Sequence, residues 1–169
     1  MSTAYIALGS NLGERTKNLK TALQRLAQTD RVKIGAVSAI FETAPVGGPE
    51  QGPYLNACAT IVTELSPTQL LLVMLDIEEK MGRVRDVHWG PRLIDLDLLL
   101  YEEIVMNTPL LELPHPRMSE RDFVLVPLAN IAPDQIIPGL NRTVAMILTG
   151  RPENEDVKLY LPPGWFGQS

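Results

Sequence analysis

The sequence predicts an α+β fold on a mostly antiparallel sheet, and three observations predict it. Runs rich in β-formers at Tyr5–Leu8, Val32–Glu42, Tyr54–Leu65 and Leu93–Tyr101 are interleaved with two segments of helical periodicity, in the order β-α-β-β-α-β. The two middle runs are joined only by a loop rich in proline and glycine, so they pair with each other. At 169 residues, with 45% apolar and 21% charged residues, the chain is long enough and apolar enough for one full core. This order is the ferredoxin-like pattern, with both helices on one face of the sheet.

Taken in turn, Tyr5–Leu8 is a short buried strand that stops at the turn-rich Gly9-Ser10-Asn11-Leu12-Gly13. Leu19, Ala22, Leu23 and Leu26 recur at helical spacing, which predicts a helix over Glu14–Gln28. Val32–Glu42 follows as a strand. Ala44–Pro53 holds three prolines and three glycines and is a loop. After the Tyr54–Leu65 strand, Ser66-Pro67-Thr68-Gln69 starts a helix. Ser66 caps, Pro67 suits the first position, and Gln69 completes a capping box. Leu70, Met74, Ile77 and Met81 share one face, and Gly82 ends the helix. Arg83–Arg92 is a basic loop and Leu93–Tyr101 a strand. A turn at Asn107-Thr108-Pro109 leads into a proline-rich stretch ending at Pro116. Short helices are expected near Ser119–Asp122, Val126–Ile131 and Thr143–Leu148. Residues 1–160 read as a single domain and 161–169, with Pro162, Pro163, Gly164 and Gly167, as an irregular tail.

Composition narrows the function classes. A formal charge of −5 argues against nucleic acid or an anionic membrane as partner. The one cysteine, Cys58, excludes an internal disulfide and reads as a small buried side chain. The N-terminus lacks a secretory pattern, and no apolar run reaches the roughly 18 residues of a membrane span. A cytoplasmic protein is the expectation.

The chemistry gathers around Trp89-Gly90-Pro91-Arg92-Leu93-Ile94-Asp95-Leu96-Asp97. Strand alternation puts Asp95 and Asp97 on one face, about 7 Å apart, with Ile94, Leu96, Leu98 and Leu100 on the other. Two carboxylates side by side call for a cation, and Mg2+ suits them because it takes oxygen ligands from one or two carboxylates plus substrate phosphates. Arg83, Arg85, His88 and Arg92 lie just before the acids, and guanidinium groups grip phosphate oxygens in pairs. No phosphate-binding G-x-x-x-x-G-K-[ST] occurs. Tyr54 and Asn56 share a strand face, an aromatic beside a carboxamide that suits a flat heterocycle. On these residues alone, another Mg2+-dependent nucleotidyl or phosphoryl transferase stays open. An RNA-binding module is disfavoured by three phenylalanines and the net charge.

Together with Tyr5-Ile6-Ala7-Leu8-Gly9-Ser10-Asn11-Leu12-Gly13, Tyr54-Leu55-Asn56-Ala57, Gly82-Arg83-Val84-Arg85, Leu113-Pro114-His115-Pro116 and Arg121-Asp122-Phe123-Val124-Leu125, this segment resembles the 6-hydroxymethyl-7,8-dihydropterin pyrophosphokinases over Tyr5–Gly139. The resemblance implies a ferredoxin-like α-β-α sandwich. It also implies transfer of pyrophosphate from ATP to the pterin hydroxyl in folate biosynthesis, two Mg2+ ions, and a monomer acting on small molecules. In that family's pattern Asp95 and Asp97 hold the metals. Arg83, Arg92, His115 and Arg121 contact phosphates, and Glu78, Arg85 and Trp89 line or support the nucleotide side. Thr43, Val46, Tyr54, Asn56 and Phe123 form the pterin pocket, with the ring between Tyr54 and Phe123. Arg83, Arg92, Asp95 and Asp97 are the catalytic set. The chain departs from the pattern at Ala44, where a proline is frequent, and at Leu110, Glu112 and Pro116, where some members carry Arg, Thr and Tyr. The loop around Asp86-Val87-His88 is a residue short.

Overall fold

A computed structural model of the chain describes residues 1–44, 52–82 and 93–167. The central strands and helices appear in the expected order: β1 (Ser2–Ser10), α1 (Arg15–Ala27), β2 (Val32–Val37), β3 (Ile40–Thr43), β4 (Tyr54–Thr63), α2 (Pro67–Lys80) and β5 (Asp95–Tyr101). The hairpin β6 (Met106–Asn107) and β7 (Glu112–Leu113) follows. Then come α3 (Asp122–Ile131), the small pair β8 (Ile136–Ile137) and β9 (Arg142–Thr143), α4 (Val144–Thr149) and β10 (Lys158–Leu161). The main sheet runs β10-β3-β4-β1-β5, with β2 also on β4, and every pair is antiparallel.

Two apolar layers enclose this sheet. On one face Ala4, Ile6 and Leu8 of β1 meet Leu19, Leu23 and Leu26 of α1 and Leu70, Met74 and Ile77 of α2. On the other, Val124, Leu125 and Leu128 of α3 and Val144 and Ile147 of α4 pack over Cys58, Leu99 and Leu100, with Tyr5 and Ala7 against them. The result is an α-β-α sandwich. Cys58 is fully buried, and burial followed by the charge of Asp97 pushes its thiol pKa far up, so it is a packing residue. No helix among the described residues is long and apolar enough to cross a membrane.

The local logic of α2 is the one expected. Ser66 Oγ accepts the Gln69 N–H at 3.1 Å, and Gln69 Oε1 accepts the Ser66 N–H at 2.9 Å. Gly82 beyond its end sits at φ +87°, a conformation open to glycine.

Four expectations need correction. β1 does not stop at Leu8: Gly9 and Ser10 remain in the ladder, paired with Asn56 and Leu55. The Val32–Glu42 run is two strands, because Ser38 turns inward between them. Its N–H donates to Cys58 O, its Oγ accepts the Cys58 N–H, and the next N–H, of Ala39, donates to Asn130 Oδ1. Leu100 does not share a face with Leu96 and Leu98. A bulge places Ile6 opposite Leu98 and Tyr5 opposite Leu100, so Leu99 is an extra residue and Leu100 joins the α3 side. Finally, Leu161 belongs to β10, which pairs with β3 opposite Ile40, rather than to the tail. The turns that follow are anchored, since Trp165 Nε1 donates to Ser38 O at 2.7 Å.

Candidate active site

Strand register alone assembles the centre of the site. In an antiparallel ladder, paired residues point to the same face. Gly9 of β1 pairs with Asn56 of β4 on one side and with Asp95 of β5 on the other. The next row in is Cys58, Ala7 and Asp97. Thr43 and Tyr54 form the last pair of β3 and β4. Thr43, Tyr54, Asn56, Asp95 and Asp97 therefore lie on one sheet face, the one turned away from α1 and α2. Thr43 and Asn56 are buried, and Asp95, Asp97 and Tyr54 are all half-buried. Asn56 is buried, and its Nδ2 donates to Thr43 Oγ1 at 2.7 Å, which fixes the carboxamide with its oxygen toward Gly9.

Gly9 is the residue that sequence reasoning missed here. A Cβ at this position would stand 3.2 Å from Asn56 Oδ1 and 3.5 Å from the Tyr54 ring. The floor between the carboxamide and the first acid is thus bare main chain. Gly-Ser-Asn reads as turn vocabulary, and only the pairing with Asn56 reveals the need for a missing side chain.

Glu78, on α2, reaches β5 from the opposite layer. It is 2% exposed, and its carboxylate accepts the Leu96 N–H at 2.7 Å, between the two aspartates. As the edge strand, β5 has main-chain donors without a strand partner, and Glu78 satisfies this one.

The remaining residues come from the segment after β7 and from the start of α3. His115 N–H donates to Leu99 O at 2.9 Å, tying the segment after the cis Leu113–Pro114 bond to the strand. The His115 Nδ1 accepts the Arg117 N–H at 3.3 Å. Burial, then the charges of Arg121 and Arg117, hold its pKa below the ordinary histidine value, with Glu112 opposing. The imidazole is therefore neutral at pH 7, and with Nδ1 accepting, its proton lies on Nε2. Arg121 occupies the position just before α3, and its guanidinium stands 5.6 Å from the centre of the Phe123 ring. Phe123 is half-buried against the α3 side of the core. Val46, Arg83, Arg85, Trp89 and Arg92 lie outside the described residues, as does the Gly47-Gly48-Pro49-Glu50 stretch. Among the described residues, no three His, Cys, Asp or Glu side chains come together as a metal site.

Comparison with known proteins gives the family and the fold. The family described as 7,8-dihydro-6-hydroxymethylpterin-pyrophosphokinase (HPPK) matches residues 5–133. The 2-amino-4-hydroxy-6-hydroxymethyldihydropteridine pyrophosphokinase of Methylorubrum extorquens is 48% identical over 139 residues, 82% of this chain and 88% of that protein. The protein of the same name in Bacillus subtilis is 49% identical over 128 residues, 76% of this chain and 77% of its own. In structure, the chain resembles the crystal structure of Plasmodium falciparum HPPK-DHPS wild type with pteroate, at a TM-score of 0.74 and 13% identity. The match covers 94% of this chain and 47% of the Plasmodium chain, so this chain spans about half the length of that protein. That likeness bears on the fold, which is ferredoxin-like.

The chain is thus a pyrophosphokinase, a transferase that moves two phosphoryl groups as a unit. More narrowly, it belongs to the 7,8-dihydro-6-hydroxymethylpterin-pyrophosphokinase family, whose reaction in folate biosynthesis passes pyrophosphate from ATP to the hydroxymethyl group of the dihydropterin.

Proposed function

We propose that this reaction runs on the face where Asn56, Gly9 and Asp95 form one row across three strands, the observation that carries the assignment. The pterin lies flat over the bare Gly9 floor, with its polar edge against Thr43 and Asn56 and its ring between Tyr54 and Phe123, closed by Val46. Asn56 is well suited to this. Its amide is spent on Thr43 at one donor, so its remaining hydrogen-bonding capacity is aimed and rigid. The hydroxymethyl group then points along the row toward Asp95 and Asp97.

ATP takes the other side. Removing pyrophosphate from ATP leaves AMP, so the pterin hydroxyl must attack the β-phosphorus with AMP as leaving group. Arg83, Arg92 and Arg121 grip the phosphates, and neutral His115 donates its Nε2–H to a phosphate oxygen. Glu78, Arg85 and Trp89 support the nucleotide. The two aspartates fit Mg2+, because they are half-buried oxygen donors on one strand face, and this ion takes one or two carboxylates together with substrate phosphate oxygens. Asp95 and Asp97 would hold two such ions, which when bound offset charge on the bridging oxygens and acidify the hydroxyl. Glu78 keeps β5 in register beneath them. The rest of the rate comes from alignment, with arginine charge meeting the phosphoryl group as it moves. The chain through β10, which ends at Leu161, acts as one domain, as a monomer in the cytoplasm.

The experiment is an assay with purified protein, Mg·ATP and 6-hydroxymethyl-7,8-dihydropterin, identifying the nucleotide product. Stoichiometric AMP and pterin diphosphate are expected. ADP as the product, or no turnover, would overturn the reading.

A further inference from the structure

Arg151 follows α4, beyond the residues matched by the family. It nevertheless spends its whole guanidinium group on the segment that presents Arg121 and Phe123. Nε donates to Asp122 Oδ1, Nη1 to Ser119 O at 3.3 Å, and Nη2 to Glu120 O at 3.1 Å. The other carboxylate oxygen of Asp122 accepts from Asn154 Nδ2 at 2.9 Å. Burial would raise the Asp122 pKa, but the bonds from Arg151 and Asn154 outweigh it and hold the carboxyl below its ordinary value. The clamp is therefore charged on both sides at neutral pH.

What it holds is a point of little local regularity. Met118–Glu120 is a single 3-10 turn, Arg121 is extended at φ −117° and ψ 104°, and α3 begins at Asp122. Arg121 makes no side-chain capping bond for that helix. Two carbonyls before Arg121 and one carboxylate after it are fixed by a single side chain with three separate donor groups. Lysine's three N–H donors radiate from a single nitrogen, so they cannot reach three separately placed acceptors as the nitrogens of a planar guanidinium do.

We propose that Arg151 is a positioning residue: by pinning residues 119–122 it sets where Arg121 meets phosphate and where Phe123 meets the pterin. This rests on the roles given above to Arg121 and Phe123. Arg151 touches neither substrate. Its loss leaves both groups in place chemically but lets the turn that aims them relax.

The test is steady-state kinetics on the full chain for Arg151→Met, Arg121→Ala, Phe123→Ala and the Arg151→Met/Arg121→Ala double variant. Arg151→Met is expected to raise KM for ATP roughly tenfold and KM for the pterin a few-fold. In the double variant, Arg151→Met should raise KM for ATP by less than about twofold over Arg121→Ala alone, because the group it aims is gone. Full additivity, or unchanged KM values in Arg151→Met, overturns the proposal while leaving the site reading intact. If Arg121→Ala and Phe123→Ala themselves leave both KM values unchanged, the site reading fails and the proposal falls with it. Should Arg151→Met not fold, Arg151→Lys decides: a raised KM for ATP supports the need for three donor groups, and wild-type KM values overturn it.

Discussion

The two walls of the site are built by different means. On the pterin side, Thr43, Tyr54, Asn56 and Gly9 sit within paired strands, and their positions follow from main-chain register. On the phosphate side, His115 and Arg121 sit in turns, and their positions follow from side-chain and single main-chain bonds: Leu99 O for His115, Arg151 for the turn around Arg121. A ladder distributes its hold over many bonds and leaves little room for a changed shape. A clamp concentrates its hold in a few charged groups and responds to charge. The first wall should therefore fail by steric conflict and the second by titration or loss of one partner.

The largest effect belongs to the pair of acids on β5 that lies between the two walls. Asp97→Ala should lower turnover by at least roughly 100-fold, since several kcal/mol of charge stabilisation go with the carboxylate. The melting temperature should stay near wild type, because Asp97 is half-buried and outside both apolar clusters. Near-normal turnover at saturating Mg2+ would remove Asp97 from the reaction.

Next comes the floor. Gly9→Val introduces a branched side chain where even one Cβ meets Asn56 Oδ1 at 3.2 Å. Overpacking of this kind costs about 1 to 3 kcal/mol, and here it should appear as lost pterin affinity with nucleotide affinity kept. Isothermal calorimetry with each ligand separates the two, and equal loss for both would show that the pterin wall is not a separate rigid unit.

Asn56→Ala is milder, since it removes a partner without adding bulk. A loss of about 1.5 kcal/mol in pterin binding is expected. If ATP affinity falls instead, Asn56 faces the other substrate.

The smallest effect tests the clamp. The Asp122 carboxyl is held below its ordinary pKa in the fold. Its stabilisation is thus complete above the ordinary carboxylate range and is lost as pH falls through the depressed value. Thermal melts below about pH 4 should show a component that disappears in Asp122→Asn. Parallel acid profiles for the two proteins would mean that the pair contributes nothing.

Much of the frame was legible because its causes are local. The start of α2 needs only Ser66, Pro67 and Gln69, and the pairing of β3 with β4 follows from the loop that joins the two runs. The acids on β5 were legible because alternation needs no knowledge of the partner strand. What escaped depends on contacts far along the chain. Ser38 divides the long second strand because Cys58 lies opposite and pairs with it through its main chain, and the register of β2 shifts after Ile34, where Thr60 Oγ1 accepts the Ala36 N–H. Gly9 looks like a turn until Asn56 is seen beside it. Arg151 is separated from Asp122 by 29 positions and has no periodic signature. β10 escaped because its Lys158-Leu159-Tyr160-Leu161 run becomes a strand only when the β3 edge is available, where Tyr160 also lies under the Arg15 guanidinium.

The bulge at Leu99 gives β5 a point at which the two ends of the strand are set independently. Before it, Asp95 and Asp97 take their orientation from Gly9 and Ala7; after it, Leu100 and Tyr101 take theirs from Tyr5 and Ala4. Because Leu99 has no partner on β1, dropping one residue there would restore plain alternation in that ladder and still leave both ends facing as they do now. A residue dropped at Leu96 would instead turn an acid toward the helices. The strand can thus absorb a change of length on one side of Leu98 and not on the other, and related chains that differ by a single insertion or deletion in β5 should carry it at Leu99.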